Sequence, residues 1–159
     1  MRLGILTMSD KGYRGEREDT SGAAIRELTG SLGADVCAYR VIPDERELIC
    51  SVLREWCDAG TVDLILTTGG TGLSPRDITP EATLAILDRL APGIPEKMRA
   101  EGLRHTPLAA LSRGIAGTRG RTLVVNLPGS ERGVRESLGA ILDLLPHAVA
   151  TLRGDVGDH

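Results

Sequence analysis

Val62 to Thr67 reads VDLILT, a short run whose aliphatic residues stand side by side instead of alternating with polar ones. A strand of this kind must be covered on both faces, the condition of a parallel sheet held between two layers of helices. Arg2 to Met8 (RLGILTM), Asp35 to Ile42 (DVCAYRVI) and Arg121 to Leu127 (RTLVVNL) are further strand-like runs.

Between these runs lie segments with helical spacing. Ala24, Ile25, Leu28 and Leu32 form one stripe, with Thr20 or Ser21 as its cap and Gly33 as its stop. Asp44 with Glu47 resembles a capping box that opens a helix bearing Leu48, Ile49, Val52, Leu53 and Trp56 and ending near Gly60. Thr79-Pro80-Glu81 reads as a helix start, with Thr79 as N-cap, and that helix runs toward Ala91-Pro92-Gly93. Pro95 opens another short one. Ser112 to Thr118 and Arg121 to Leu127 flank Arg119-Gly120 as a hairpin. Val134, Leu138, Ile141, Leu142 and Leu145 form the last stripe, and Pro146 either kinks that helix or starts a new one. Strands alternating with helices give an expected three-layer α/β/α fold, a mostly parallel sheet with one antiparallel strand pair. The 159 residues suffice for one such domain, expected over 1–152, with 153–159 as a short frayed tail.

Composition removes several functions. The formal net charge is −3, so the basic footprint of a nucleic-acid binder is missing. With no Phe, two Tyr and one Trp there are few platforms for stacking bases. Cys37, Cys50 and Cys57 form no CxxC pair and read as small buried hydrophobes, and His105, His147 and His159 are too scattered for a metal cluster. No stretch reaches the roughly 18 apolar residues of a membrane helix, and RLGILTM is too short for a signal peptide. The chain reads as soluble and cytoplasmic.

In open α/β sheets ligands bind beyond the carboxyl ends of the strands. Ser9-Asp10 follows the first strand, Asp44 the second, Gly69-Gly70-Thr71-Gly72 the third and Pro128-Gly129-Ser130 the last. The connection from Thr68 to Ile78 is about twice the usual ~2 to 6 residues of a βα loop. Its glycines allow positive φ and close approach to a ligand, so that backbone amides can point at an anion. The stretch fits neither GxxxxGK(S/T) nor GxGxxG, and the lack of GxGxxG after the first strand argues against a nicotinamide-dependent dehydrogenase. Without a lysine it would hold phosphate through amides, the Thr71 and Ser74 hydroxyls and Arg76; the alternative is a turn that merely reverses the chain. Asp77 is either a ligand of Mg²⁺ beside those phosphates or a loop aspartate bonding its own backbone. Asp44 is a helix cap, a functional carboxylate, or both. Asn126-Leu127-Pro128-Gly129-Ser130 and Ser112-Arg113 are each explicable as plain turn or capping residues.

Four stretches, ILTMSDKG, TTGGTGLSPRDITPEAT, LSRGIAG and TLVVNLPGS, resemble the molybdopterin adenylyltransferase family, the MogA/MoaB-type proteins and the G domain of gephyrin. The resemblance runs from about Leu3 to Leu152. It implies a homotrimeric, cytoplasmic protein of molybdenum cofactor biosynthesis that uses Mg²⁺ and ATP to adenylylate molybdopterin, releasing pyrophosphate, with a downstream molybdenum-insertion protein as a further partner. The family's two functional aspartates match Asp44 and Asp77, which the resemblance makes catalytic and Mg²⁺-holding. Ser9, Asp10, Gly69, Gly70, Thr71, Gly72, Ser74, Arg76, Thr79, Ser112, Asn126, Pro128 and Gly129 fall in matching motifs and would line one pocket for substrate and nucleotide. TPEAT with Asp77 points to the adenylylating branch; DKGYRGEREDTSG and the short chain point to the MoaB side. The alternative to the enzyme is therefore a molybdopterin-binding carrier or scaffold that performs no chemistry.

Overall fold

The computed structural model describes residues 1–157. In chain order the elements are β1 (Arg2–Met8), α1 (Asp10–Tyr13), α2 (Thr20–Gly30), β2 (Asp35–Ile42), α3 (Arg46–Asp58), β3 (Leu64–Thr68), α4 (Thr79–Leu84), β4 (Arg89–Leu90), α5 (Gly93–Leu103), a 3-10 turn (Pro107–Leu111), β5 (Ala116–Arg119), β6 (Thr122–Leu127), α6 (Glu131–Ile141) and α7 (Leu145–Arg153). The six strands form one sheet in the order β2-β1-β3-β6-β5-β4. The first four run parallel. The expected hairpin is present as β5 against β6, and β4 extends it by a second antiparallel pairing. This is the three-layer arrangement expected from the sequence.

The alternation of side chains along each strand explains why both faces need cover. Leu3 and Ile5 of β1, Leu64 and Leu66 of β3, and Leu123, Val125 and Leu127 of β6 pack on one face with Ala24 and Ile25 of α2, Val134 and Leu138 of α6, and Val149 of α7. Leu6 and Met8, Ile65 and Val124 face the other way, onto Ile49, Val52, Leu53 and Trp56 of α3 and Ala82 of α4. Two aliphatic cores thus sandwich the sheet. Because α2 leaves β1 for one face and α4 leaves β3 for the other, a crevice opens between the carboxyl ends of these neighbouring strands.

Several local expectations give way to tertiary contacts. Asp44 does not cap α3; Glu45 is the N-cap and makes no side-chain capping bond. Asp19, not Thr20 or Ser21, caps α2, its carboxylate accepting from the Gly22 N–H at 2.9 Å. The polar stretch after β1 contains the short helix α1, capped by Ser9. Helix α4 ends at Leu84, well short of Ala91, because the chain turns into β4, while α5 begins at Gly93 rather than Pro95. Pro146 starts a new helix, α7. Cys50 and Cys57 are buried as expected, and burial pushes the Cys57 thiol up to about 11. Cys37 is exposed, contrary to expectation, because β2 is the sheet edge. Arg153 closes α7, and its guanidinium lies 3.5 Å from the buried Asp63. Of the expected tail, residues 158–159 lie outside the described residues.

Candidate active site

The four strand ends meet. Asp10 and Asp44 exchange hydrogen bonds: the Asp44 N–H donates to Asp10 Oδ1 at 3.0 Å, and the Asp10 N–H donates to Asp44 Oδ2 at 3.3 Å. Arg76, from the loop after β3, closes over Asp10 with Nε and Nη2 at 3.0 and 2.8 Å from its two carboxylate oxygens. The loop after β6 reaches the same place. The Thr68 hydroxyl donates to the Pro128 carbonyl at 2.6 Å, and the Ser21 hydroxyl donates to the Gly129 carbonyl at 2.7 Å.

Electrostatics separates the acids. The Arg76 guanidinium, followed by the Asp44 N–H, holds Asp10 below the ordinary carboxylate range. Asp44 goes the other way: burial first, then the charge of Asp10, push it up, and the charge of Asp77 adds to the effect. A carboxylate that resists ionisation in this way is suited to a cation or to a cationic ligand group.

The glycine turn is built by backbone conformation. Gly69 and Gly70 have φ of +98° and +68°, which side-chain-bearing residues rarely adopt. A β-carbon on Gly69 would press into the Met8 carbonyl oxygen, and one on Gly70 would meet the Thr79 hydroxyl and come within 3.1 Å of Asp44 Oδ1. Asp77 folds the loop back on itself: its Oδ2 accepts from the Ser74 N–H at 2.9 Å, and its N–H donates to the Ser74 carbonyl at 2.8 Å. The backbone-bonding role foreseen for Asp77 is therefore real, and it leaves Oδ1 without a hydrogen bond among the described residues. Asp44 Oδ1 is likewise spare.

Two cavities flank this turn. One, of about 800 Å³, is lined by Ser9, Asp10, Asp44, Gly69, Ser74 and Arg76 and carries further side chains of both charges, Lys11, Arg14, Arg17, Glu18, Asp19 and Glu131. The other, of about 410 Å³, is less polar and is lined by Thr71, Gly72, Met98, Arg99, Ser112 and Pro128. Gly70, Asp77, Gly129 and Ser130 belong to both walls. The single pocket expected from the sequence is a pair of pockets sharing a rim.

Two expected site residues line neither cavity. Asn126 is buried in the core. Its Nδ2 donates to the Thr67 and Thr83 hydroxyls, both at 3.0 Å, and its Oδ1 accepts from the Ile115 N–H at 3.2 Å. It ties β6 to β3, α4 and the start of β5. Asn126→Ala should cost about 2–4 kcal/mol in urea unfolding, since it strands several buried polar groups at once. Substrate affinity of the folded fraction should stay within a few-fold of wild type; a large affinity loss with unchanged stability would contradict the structural role. Thr79 is also fully buried, at the first position of α4 rather than at its cap, which is Ile78. Its hydroxyl is the buried side-chain polar atom left without a hydrogen bond among the described residues.

The sequence undervalued three arginines. Arg113 donates from Nε to the Gly72 carbonyl at 2.8 Å and from Nη2 to the Asp77 carbonyl at 2.7 Å, and it pairs with Glu81. Arg99 reaches the Ser112 and Gly114 carbonyls from α5 at 3.3 and 3.1 Å. Arg17 lines the larger cavity. No periodicity marks Arg113, because the carbonyls its side chain grips lie 41 and 36 positions away in the chain.

Residues 4–147 match a family model described as "Probable molybdopterin binding domain". The molybdenum cofactor synthesis protein cinnamon of Drosophila melanogaster is 44% identical over 155 residues, which cover 97% of this chain but 26% of that protein, so the chain spans about a quarter of that relative. The molybdopterin adenylyltransferase of Helicobacter pylori strain J99 is 41% identical over 157 residues, covering 98% of this chain and 89% of that one. Among solved structures, the molybdopterin biosynthesis enzyme MoaB from Thermus thermophilus is 60% identical, covers 96% of each chain and superposes with a TM-score of 0.91.

Proposed function

The chain belongs to the molybdopterin-binding domain family, and from that premise we propose that it is a nucleotidyltransferase of molybdenum cofactor biosynthesis that adenylylates molybdopterin with Mg²⁺ and ATP, releasing pyrophosphate. The observation that carries this reading is the shared rim. Two cavities of ligand size, one charged and one partly apolar, meet at Gly70, Asp77 and Gly129, beside Asp44. The charged cavity suits the nucleotide and its phosphates; the less polar one, with Met98 and Pro128 against Arg99 and Ser112, suits a pterin ring. The two reacting phosphates would then face each other across the glycine rim.

An oxygen of the pterin's terminal phosphate attacks the α-phosphorus of ATP. A new P–O–P bridge forms as the bond to the β-phosphate breaks, and pyrophosphate leaves with its electron pair. A phosphate monoester is already largely ionised near neutral pH, so no general base is required. The work of the protein is to bring two anions into line and hold them there. Backbone amides of the glycine turn, the Ser74 hydroxyl and Arg76 bind and orient oxygens; for Arg76 this means leaving Asp10.

The donor set fits Mg²⁺. Among the described residues no cluster of three or more His, Cys, Asp or Glu side chains forms a closed metal site. Mg²⁺ in nucleotide enzymes uses one or two carboxylates and takes its other ligands from phosphate and water. Asp44 and Asp77, each with a spare Oδ1, would be those two. When bound, the ion supplies charge neutralisation at the phosphates.

Self-association into the homotrimer that the family resemblance implies is supported by exposed leucines near the smaller cavity, Leu103, Leu108 and Leu111, at 51%, 68% and 50% exposure. This reading puts the protein in the cytoplasm, upstream of a molybdenum-inserting partner. Among the described residues no helix is long and apolar enough to cross a membrane.

Pure protein mixed with molybdopterin, Mg²⁺ and ATP should yield adenylylated pterin, detected by mass, together with pyrophosphate. Binding of the pterin with no product from active substrate would leave the carrier reading in its place.

A further inference from the structure

We propose that Arg113 is a positioning residue that sets phosphate affinity from behind the glycine turn, by aiming the turn's amides; the inference rests on the phosphate-cradle reading given above. Carbonyls of this loop are occupied from within the protein, that of Ser74 by the Asp77 N–H. The Gly70 carbonyl accepts from the Thr79 N–H at 3.1 Å, and the Thr71 carbonyl accepts from the Arg113 N–H at 2.8 Å. The Arg113 side chain takes the Gly72 and Asp77 carbonyls. One arginine thus holds three of them, one by its own N–H and two by its side chain.

The peptide bonds are trans among the described residues, and in a trans peptide the N–H points opposite to the preceding carbonyl. Tying back the Thr71, Gly72 and Asp77 carbonyls therefore turns the N–H groups of Gly72, Leu73 and Ile78 away from Arg113, while the Thr79 N–H on the Gly70 carbonyl fixes the Thr71 N–H in the same way. None of these four amides has an acceptor among the described residues. Thr71 is buried, where an unpaired backbone donor is unusual; Gly72, Leu73 and Ile78 are open to solvent, where water or an anion can complete the set.

Arg113 itself lines neither cavity. Its charge is already met by Glu81, so its contribution is geometric. A glycine-rich turn is free to flip its peptides; a planar guanidinium gripping two carbonyls and one carboxylate at once prevents this, whereas an ammonium is a point donor on a flexible stem. A phosphate loop of the usual kind sends a lysine to the ligand. This one uses its cation to orient the backbone instead.

The test is calorimetric titration of inorganic pyrophosphate, and of ATP with Mg²⁺, into wild type, Arg113→Lys and Arg113→Met, with thermal melts in parallel. Both variants should bind at least about tenfold more weakly while still folded at the assay temperature, and Lys should recover little of the loss. Wild-type affinity in both variants, or full recovery by Lys, overturns the inference and leaves the cradle intact. In the unmodified protein, pyrophosphate should shift the ¹⁵N–¹H resonances of Thr71, Gly72, Leu73 and Ile78. Binding that moves other amides but not these four overturns the proposal even if both variants fail to fold. If wild type binds neither pyrophosphate nor ATP, the phosphate reading of the turn falls with it.

Discussion

Asp44→Asn is expected to lower adenylyl transfer by about 10²–10³-fold while pterin affinity stays close to wild type. The substitution keeps the shape of the side chain and an oxygen able to accept the Asp10 N–H, so the rim is not rebuilt. It removes the negative charge that would help hold the proposed cation. Stability should move the other way. Burial and the neighbouring Asp10 raise the Asp44 carboxyl above its ordinary value in the folded protein, so the folded state holds that proton more tightly than the unfolded chain does. The sign follows: the wild-type protein is relatively most stable below the ordinary carboxyl range and loses stability as pH rises through the raised folded value. The uncharged Asn escapes that loss. At pH 7 the variant should melt roughly 1–3 °C higher, a shift corresponding to less than about 1 kcal/mol in a chain of this size, and the gap should close as the pH falls through the raised value toward the ordinary one. Melting curves between pH 3 and 8, set beside turnover, test both halves. A variant that loses stability and turnover together would make Asp44 a structural residue. Asp77→Asn is the companion measurement: it should abolish product formation and leave pterin binding largely intact, since Asn can still accept the Ser74 N–H.

Gly69→Ala should be the most damaging small substitution near the site, costing more than about 3 kcal/mol and abolishing turnover. Two penalties add. The residue has φ of +98°, where a β-carbon is strained by roughly 1–3 kcal/mol. That carbon would also run into the Met8 carbonyl, a backbone atom at the end of β1 that cannot step aside without moving the strand pair. The loop after β6 allows no retreat, because a β-carbon on Gly129 would lie 3.2 Å from the Gly69 Cα. Urea unfolding monitored by circular dichroism measures the loss. A midpoint within about 0.5 kcal/mol of wild type would mean that the turn tolerates a side chain and that its glycines are not fixed by close approach.

Much of the fold, and the convergence of the strand ends at the candidate site, was legible in the sequence. VDLILT demanded cover on both faces, and the two buried faces of β3 fulfil that demand. Ser9, Asp10, Asp44, the glycine turn and Pro128-Gly129 stood out because each follows a strand, and parallel strands bring all their carboxyl ends to one edge. The sequence also carried misleading local signals. Asp44 three residues before Glu47 has the spacing of a capping box, yet its carboxylate turns to a residue 34 positions away. Thr79 before Pro80 has the form of an N-cap, yet its side chain is buried beneath Gly70.

What the sequence determined by itself was therefore the layered sheet and the short polar and glycine-rich segments that follow its strands, because these depend on side-chain period and on residues next to one another. What the tertiary structure decided was which polar groups are spent and which are left over. Asn126 became a core tie, Arg113 a clasp 41 positions from the carbonyl it grips, and one expected pocket became two cavities with a common rim. Hydrogen bonds of that sequence separation leave no periodic trace, and their partners are chosen only when the strands set their register and the loops meet.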